Sequence, residues 1–485
     1  GTAANEIKDS FWQTDQDALE GVNAAYGSLL TDGTYMRSTP LLLDLKGDDC
    51  RSNSPWPAMA NVGKFNSNVS DAAIYGWAYE TYYQGIFRAN QVLTNVPAIN
   101  FENVELKNRI LGQAYFLRGL YLFHAVNMFK NVPVPTELAA IYPQKTETEG
   151  WAQVIEDFKM AAELLPTVYS DVKDKGRATK GAALGYLGKA YLFTKDFPNA
   201  KDAFKEVIDL QIYSLVSNYR DNFTETNENN SESLFEVQFT EGVGTDINWC
   251  CDPVGSWRQV QAISVTYGME GAGFSDYLPT RWIYNEYKQE QTVDGKSDPR
   301  LLVTIASFEP ADNSTLAYGR PWFNPTDRIY PRKYTNDGVG NGKGFEGAAE
   351  SGINYRILRY ADILLMYAEV LNETNRTAQA YSYIQQVRTR AKLPNLATVK
   401  PNMTQAQMRD QLGHERALEF AILCASRSGE VRGARWDEFN LDASVWTIPA
   451  ERMKAGKEHR VPLSSFALAI LKKLPKKAEV DLVFS

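Results

Sequence analysis

Apolar residues recur at helical spacing through most of the first half of the chain. In "WQTDQDALEGVNAAYGSLL", residues 12–30, Leu19, Val22, Tyr26 and Leu29–Leu30 fall on one face, which predicts a helix. Residues 71–96 predict a second, with Asp71 as its cap, and "NVELKNRILGQAYFLRGLYLFHAVNMF", 103–129, a third that ends at "KNVPVP". Residues 150–165 and 178–212 predict three more. From 213 to 350 the helical period is lost, and Gly, Asn, Pro and Trp become frequent. There "SLFEVQF", 233–239, alternates as a strand does. "TEGVGTDINWCCDPVGSW" and "SVTYGMEGAGF" read as long ordered loops, because their aromatic content argues against disorder.

In "YLGKAYLFTKDFPNAKDAFKEVID", Leu187-Gly188, Tyr191, Ala200 and Phe204 have the spacing of a tetratricopeptide helix pair. Gly188 lets the two helices approach, Tyr191 fills the groove and Ala200 leaves room for it. The segments 103–129/150–165 and 356–372/375–391 have the same proportions with looser motifs. The fold predicted is mainly α, with tetratricopeptide-like pairs within 103–212 and 356–391 forming a scaffold. A loop-rich binding region covers 213–350. Such a stack offers a groove and carries no chemistry of its own.

Charge divides the chain. Residues 422–485 hold 11 Lys+Arg against 8 Asp+Glu, whereas the preceding 421 hold 40 against 51. The body is therefore a poor generic binder of nucleic acid, since phosphate contacts need local positive charge. Hydrophobic residues at 44% and charged residues at 23% describe an ordinary globular composition, and no apolar run approaches the ~20 residues of a membrane span. The four cysteines form no disulfide framework and no CxxC, and His124, His414 and His459 form no metal-binding spacing. No metal, other cofactor or catalytic residue is expected.

Several segments together resemble the SusD/RagB family of starch-binding-protein-like outer-membrane lipoproteins. They include "SFWQTDQDALEGVNAAYGSL", "YETYYQGIFRANQVL", "AYFLRGLYLFHAVNMFKNVPV" and "ATKGAALGYLGKAYLF". "LPTRWIYNEY" followed by "DPRLLVTI", and "RYADILLMYAEVLNE", complete the set. The resemblance spans roughly residues 5–421. It implies four tetratricopeptide-like pairs under a loop-rich face. It further implies lipid anchoring to a Gram-negative outer membrane, facing outward, with the protein acting as a lid over a TonB-dependent, SusC-like transporter. The family captures glycans and does not cut them. The sequence begins at Gly1, and the acylated cysteine expected of the family would precede it. A bare tetratricopeptide-like protein-interaction scaffold is the alternative.

A neutral sugar is held by aromatic faces against its C–H surface and by a few polar side chains at its hydroxyls. "LKGDDCRSNSPWPAMAN" supplies Asp48, Asp49, Arg51 and Trp56, the last between two prolines that hold the chain extended. "DINWCCDPVGSWRQ" supplies Trp249, Trp257 and Arg258, and "VTYGMEG" supplies Tyr267. Trp56 and the 249–267 loop are expected on one exposed face, and by position they resemble the family's stacking segments. Trp12, Trp77, Trp151 and Trp282 are expected to pack inward, with Trp322 open between the two readings.

After "HERALEFA" the chain changes character. From Ile422, "ILCASRSGEVRGARWDEFNLDASVWTIPAERMKAGKEHRVPLSS" resembles the catalytic domain of a phage-type tyrosine recombinase. Arg427 stands at that family's first catalytic arginine and Lys454 at its lysine. The second arginine box and the nucleophilic tyrosine have no counterpart, and no tyrosine follows Lys454. Residues 422–485 are thus read as a small α+β fragment joined to a 1–421 helical domain. A helix is expected near 416–434, a β-hairpin near 444–462 and a short helix near 464–474. The apolar positions Ile422, Leu423, Val431, Trp436, Leu441 and Trp446 are expected to dock on the scaffold, because a module of this size is marginal alone.

Overall fold

Helix Asp15–Gly27 starts where its sequence says it should. The Thr14 hydroxyl accepts from the Asp17 N–H, and the Asp17 carboxylate accepts from the Thr14 N–H at 2.7 Å. The structure, a computed structural model, describes residues 11–64, 73–244, 259–337, 351–420, 439–443, 445–448 and 459–462. Asp15–Gly27 packs on Ala73–Asn95, which packs on Val104–Phe129. The succession continues through Glu147–Leu164, Lys180–Phe193 and Phe197–Asp209 to Tyr360–Glu373 and Thr377–Arg390. Consecutive helices are neighbours, as in stacked helical pairs. Asp71, the expected cap of the second helix, lies outside the described residues.

The pair 180–193/197–209 shows why its motif reads as it does. A Cβ on Gly188 would stand 2.5 Å from the Phe204 ring, so only glycine lets the helices come this close. Ala200 and Phe204 are fully buried, and Tyr191 lies half-buried beside them. Val104–Phe129 is buried nearly all round from Ile110 to Val126. Arg118 within that stretch is satisfied by a two-pronged contact to Asp157, at 2.9 and 2.6 Å, and by Asn90 at 2.9 Å.

The 356–372 segment is not helical throughout. Tyr355–Arg359 is a strand, antiparallel to Ser233–Val237 with Val237 opposite Tyr355, and the helix begins only at Tyr360. Most of this strand is buried on both faces, so no alternation marks it in the sequence.

Helix Gln405–Phe420 also begins earlier than the expected start near 416. It is pinned by buried charge. The Glu419 carboxylate accepts from Arg359 at 2.8 Å and Arg390 at 2.5 Å, with Arg300 at 3.4 Å, and Glu415 accepts from Arg388 at 2.6 Å. Glu232 shares Arg359 and Arg390 at 2.9 and 2.7 Å. Burial alone would raise the Glu419 pKa, but Arg390, Arg359 and Arg300 hold it below the usual carboxylate range.

Beyond 420 the described residues form an antiparallel sheet in which Val445–Ile448 pairs with both His459–Pro462 and Phe439–Asn440. The expected hairpin is present. The expected short helix near 464–474 and the docking positions lie outside the described residues, apart from the half-buried Leu441 and the backbone of Trp446.

Candidate functional site

The segment that carries Asp48, Asp49, Arg51 and Trp56 is fixed by a short strand. Cys50–Ser52 pairs antiparallel with Tyr277–Pro279, placing Arg51 opposite Leu278. The register continues through Asn53, whose N–H donates to the Asp276 carbonyl at 2.7 Å and whose side-chain amide donates to the Ser275 carbonyl at 2.9 Å. Residues more than 200 positions apart thus form one edge of the molecule.

Trp56 stands at the N-cap of the short helix Pro57–Val62, its N–H donating to the Ser54 hydroxyl at 3.1 Å. The indole is half-buried, with its centroid 5.6 Å from that of Trp77 and the ring planes 37° apart. The Arg37 guanidinium lies 5.8 Å from the Trp56 centroid, oriented by the two hydrogen bonds it donates to Asp32 at 2.8 and 2.5 Å. Asp276 faces the same place. Burial raises its pKa, while the Ser54 hydroxyl and the Arg37 charge oppose that. Two half-exposed indoles offer the apolar faces a sugar ring requires, backed by Arg37 and Asp276, which are themselves buried.

The flanks of the 245–258 segment are tied to each other and to the scaffold. The Thr240 N–H donates to the Gln259 carbonyl at 2.7 Å, and the Ala262 N–H donates to the carbonyl of Met36, the residue before Arg37, at 3.0 Å. Trp249, Trp257 and Arg258 lie outside the described residues.

Tyr267 is not on an exposed face. It is fully buried, its hydroxyl donates to Asp44 at 3.0 Å, and its ring stacks on Tyr277 at 4.1 Å. The reason is Asp44, a carboxyl enclosed in the core whose pKa burial raises well above normal, with the Asp49 charge adding to the rise. Such a group needs a hydroxyl partner, and a tyrosine from the loop supplies it. Asp49 is itself nearly buried beside this cluster. Asp48 is half-buried, and its carbonyl accepts from the Thr280 hydroxyl at 2.8 Å. Arg51 is exposed and lines a cleft of about 380 Å³.

The other tryptophans divide differently from expectation. Trp151 is buried and Trp12 packs against the core, as anticipated. Trp77 is half-buried, because it lies at the margin of the stripe formed by Ile74, Ala78 and Thr81. Trp282 is 46% exposed on the first turn of helix Arg281–Tyr287, contrary to the packing role expected. Trp322 is half-buried against Phe308. Trp77, Arg37 and Asp276 escaped sequence reading. Only the near-invisible difference between a helix's buried stripe and its margin marks Trp77. Among the described residues, no group of His, Cys, Asp and Glu is arranged to hold a metal ion.

A family model described as "SusD family" matches residues 231–422, and one described as "Starch-binding associating with outer membrane" matches 19–192. A third, "Phage integrase family", matches 393–485, so residues 393–422 are shared with the first. SusD-like protein P2 of Formosa agariphila is 26% identical over 446 residues, which is 85% of this chain and 83% of that protein. Prophage integrase IntA of Escherichia coli is 52% identical over 52 residues, 11% of this chain and 13% of the integrase. A crystal structure of a SusD superfamily protein from Bacteroides vulgatus superposes with a TM-score of 0.75 at 25% identity, over 85% of this chain and 87% of that one. A laminarin binding SusD-like protein superposes with a TM-score of 0.69 at 26% identity, over 85% and 89% of the two chains.

Proposed function

The chain belongs to the SusD/RagB family over most of its length, with a phage integrase segment at its C-terminal end, and on that premise we propose that it binds oligosaccharides or polysaccharides at the cell surface and passes them, uncut, to a TonB-dependent transporter. The observation that carries this reading is the Trp56–Trp77 pair with Arg37 and Asp276 at its edge. The aromatic faces supply apolar contact to a sugar ring, and the buried Arg37–Asp32 pair fixes the Trp56 side of the platform. The family description already includes association with the outer membrane. Anchoring there through an N-terminal lipid, with the binding face outward, is part of the proposal. One relative is named for binding laminarin, which supports a glycan as the ligand class and leaves the sugar itself open to experiment.

Arg51 is assigned to the edge of the same site, with Asp48 and Asp49 bracing the strand beneath it, and Trp249 and Trp257 are proposed from the sequence as further stacking residues. The proposed division is a binding domain over 1–421 and an integrase-derived segment over 422–485. The matched integrase shares only 13% of its length with this chain, so its activity is not carried over.

A glycan array followed by calorimetry on the best ligand, with Trp56→Ala and Trp77→Ala, tests the reading. Binding that weakens in both variants supports it. Absence of binding to any glycan would leave a helical protein-interaction scaffold as the better description.

A further inference from the structure

Beside the Cys50–Ser52 strand, the cleft of about 380 Å³ is walled by Arg51, Asn53, Arg281, Arg328 and Tyr330. Three guanidiniums in one cleft are unexpected in a body whose acidic residues exceed its basic ones by 11. The pairing of Arg51 with Leu278 sets it three positions from Arg281 along the partner strand and helix start. Among the described residues, neither Arg51 nor Arg281 forms an ion pair; Arg281 rests over the Tyr284 ring at 5.3 Å. Arg328 contacts Glu270 at 2.7 Å, but both side chains are more than half exposed, and such a pair is weak and readily exchanged. Asp327 is the other carboxylate on the wall. Three cations against two anions leave the cleft net positive.

Tyr330 gives a second, independent indication. Its ring is buried, yet its hydroxyl has no hydrogen-bond partner of good geometry, although the Arg328 guanidinium stands beside it. A buried hydroxyl left unmade is unfavourable, and a ligand oxygen in the cleft would satisfy it. Aromatic surface adjoins the cleft as well. Trp282, next to Arg281, is 46% exposed, and Phe274, next to the wall residue Ser275, is 56% exposed.

We propose that this cleft is an anion subsite, taking the carboxylate of a uronic acid or the sulfate of a sulfated sugar on the same glycan chain that the Trp56–Trp77 pair holds. This rests on the glycan-binding reading and narrows it to acidic polysaccharides. Arg51 and Arg281 supply forked donors matched to an oxyanion, and Tyr330 supplies a neutral one. Arg51 and Trp56 are five residues apart, at most about 18 Å along the chain, so a short oligosaccharide reaches both.

Calorimetry on the full chain with hexagalacturonate, a sulfated carrageenan hexasaccharide and neutral laminarihexaose tests this. At low salt, one of the two acidic ligands binds more tightly than the neutral one, and added salt narrows the difference. The Arg51→Ala/Arg281→Ala double variant loses about tenfold or more of that affinity. It loses less affinity for a neutral ligand than for the acidic one, and it keeps its unfolding midpoint. Which acidic ligand responds distinguishes uronate from sulfate. An unchanged affinity in the double variant, or no preference for either acid over the neutral sugar, overturns the anion subsite while Trp56-dependent glycan binding stands. No binding of any glycan, or binding indifferent to Trp56→Ala, overturns both.

Discussion

Trp56 and Trp77, from segments on either side of a long helix start, bring their ring centroids to 5.6 Å with the planes tilted by 37°. Neither is enclosed, and the Arg37 guanidinium holds one side of Trp56. Removing one indole deletes a stacking surface and loosens its partner. Trp56→Ala and Trp77→Ala are each expected to weaken oligosaccharide binding by about 1–3 kcal/mol. Arg37→Ala should weaken it too, while exposing the Asp32 carboxylate. Calorimetry reads all three. Unchanged affinity in both tryptophan variants would remove the pair from the site.

Two histidines titrate in opposite directions. His414 sits between Glu286 at 2.7 Å and Glu290 at 3.4 Å; burial works against its charge, but these carboxylates raise its pKa from 6.5 to about 9. A raised folded-state pKa gives stability that is complete below 6.5 and lost as the pH rises through 9, an effect of up to about 3 kcal/mol. His124 is buried with Tyr35 on its Nε2 and no partner on Nδ1, and burial lowers its pKa to about 3. Its contribution is present above 6.5 and is lost as the pH falls toward 3. The expected stability curve falls on both sides of neutrality, and His414→Gln flattens the alkaline limb. Histidine-selective NMR should show His414 protonated at neutral pH and His124 neutral. A His124 titrating near 6.5 would contradict this account.

Gly188 makes a sharper packing test. A methyl group there meets the Phe204 ring at 2.5 Å, well inside contact distance, and Phe204 is fully enclosed. Gly188→Ala gains helix propensity yet forces the helices apart, so a net loss of about 1–3 kcal/mol is expected. Chemical denaturation measures it. Phe204→Leu in the same chain should recover part of the loss, since it clears the space. A stabilised Gly188→Ala variant would show that the helix pair is looser than its geometry.

Most of the helices were legible because they bury one face over three or more turns, and Val104–Phe129, buried nearly all round, was legible from its length and its stop at "KNVPVP". The Tyr355–Arg359 strand was not, since its partner Val237 lies 118 positions earlier and both faces are covered, leaving no alternation to read. Trp56 was found from its prolines, which fix an extended entry to a short helix. Tyr267 was misread because a loop tyrosine looks alike whether it meets a ligand or a buried carboxyl such as Asp44. Trp282 was misread the other way, for a helical tryptophan declares its face only when the neighbouring elements are known. The arginine cleft could not be seen at all. Arg51, Arg281 and Arg328 are scattered in sequence and meet only through strand pairing.

Helix Gln405–Phe420 lies where the SusD and integrase family matches overlap, and its buried glutamates tie it to the scaffold. Glu415 and Glu419 neutralise Arg388, Arg359, Arg390 and Arg300, all buried or nearly so, and residues 393–422 are matched by both family models. Those two carboxylates therefore belong to the scaffold, whatever follows them. Removing either strands arginines away from water, and Glu419→Ala should cost about 3–5 kcal/mol. A chain ending after Ala421 retains every described ion pair of this group, so it should unfold cooperatively and bind glycan as the full chain does. A chain ending after Gly413 lacks both glutamates and should show no cooperative transition. A polypeptide of residues 1–485, or of 422–485, should trap no covalent DNA adduct, because residues 455–485 contain no tyrosine. If the chain ending after Ala421 lost its cooperative unfolding, residues 422–485 would have to be counted as part of the binding domain. An adduct on a denaturing gel would return Arg427 and Lys454 to consideration as active-site residues.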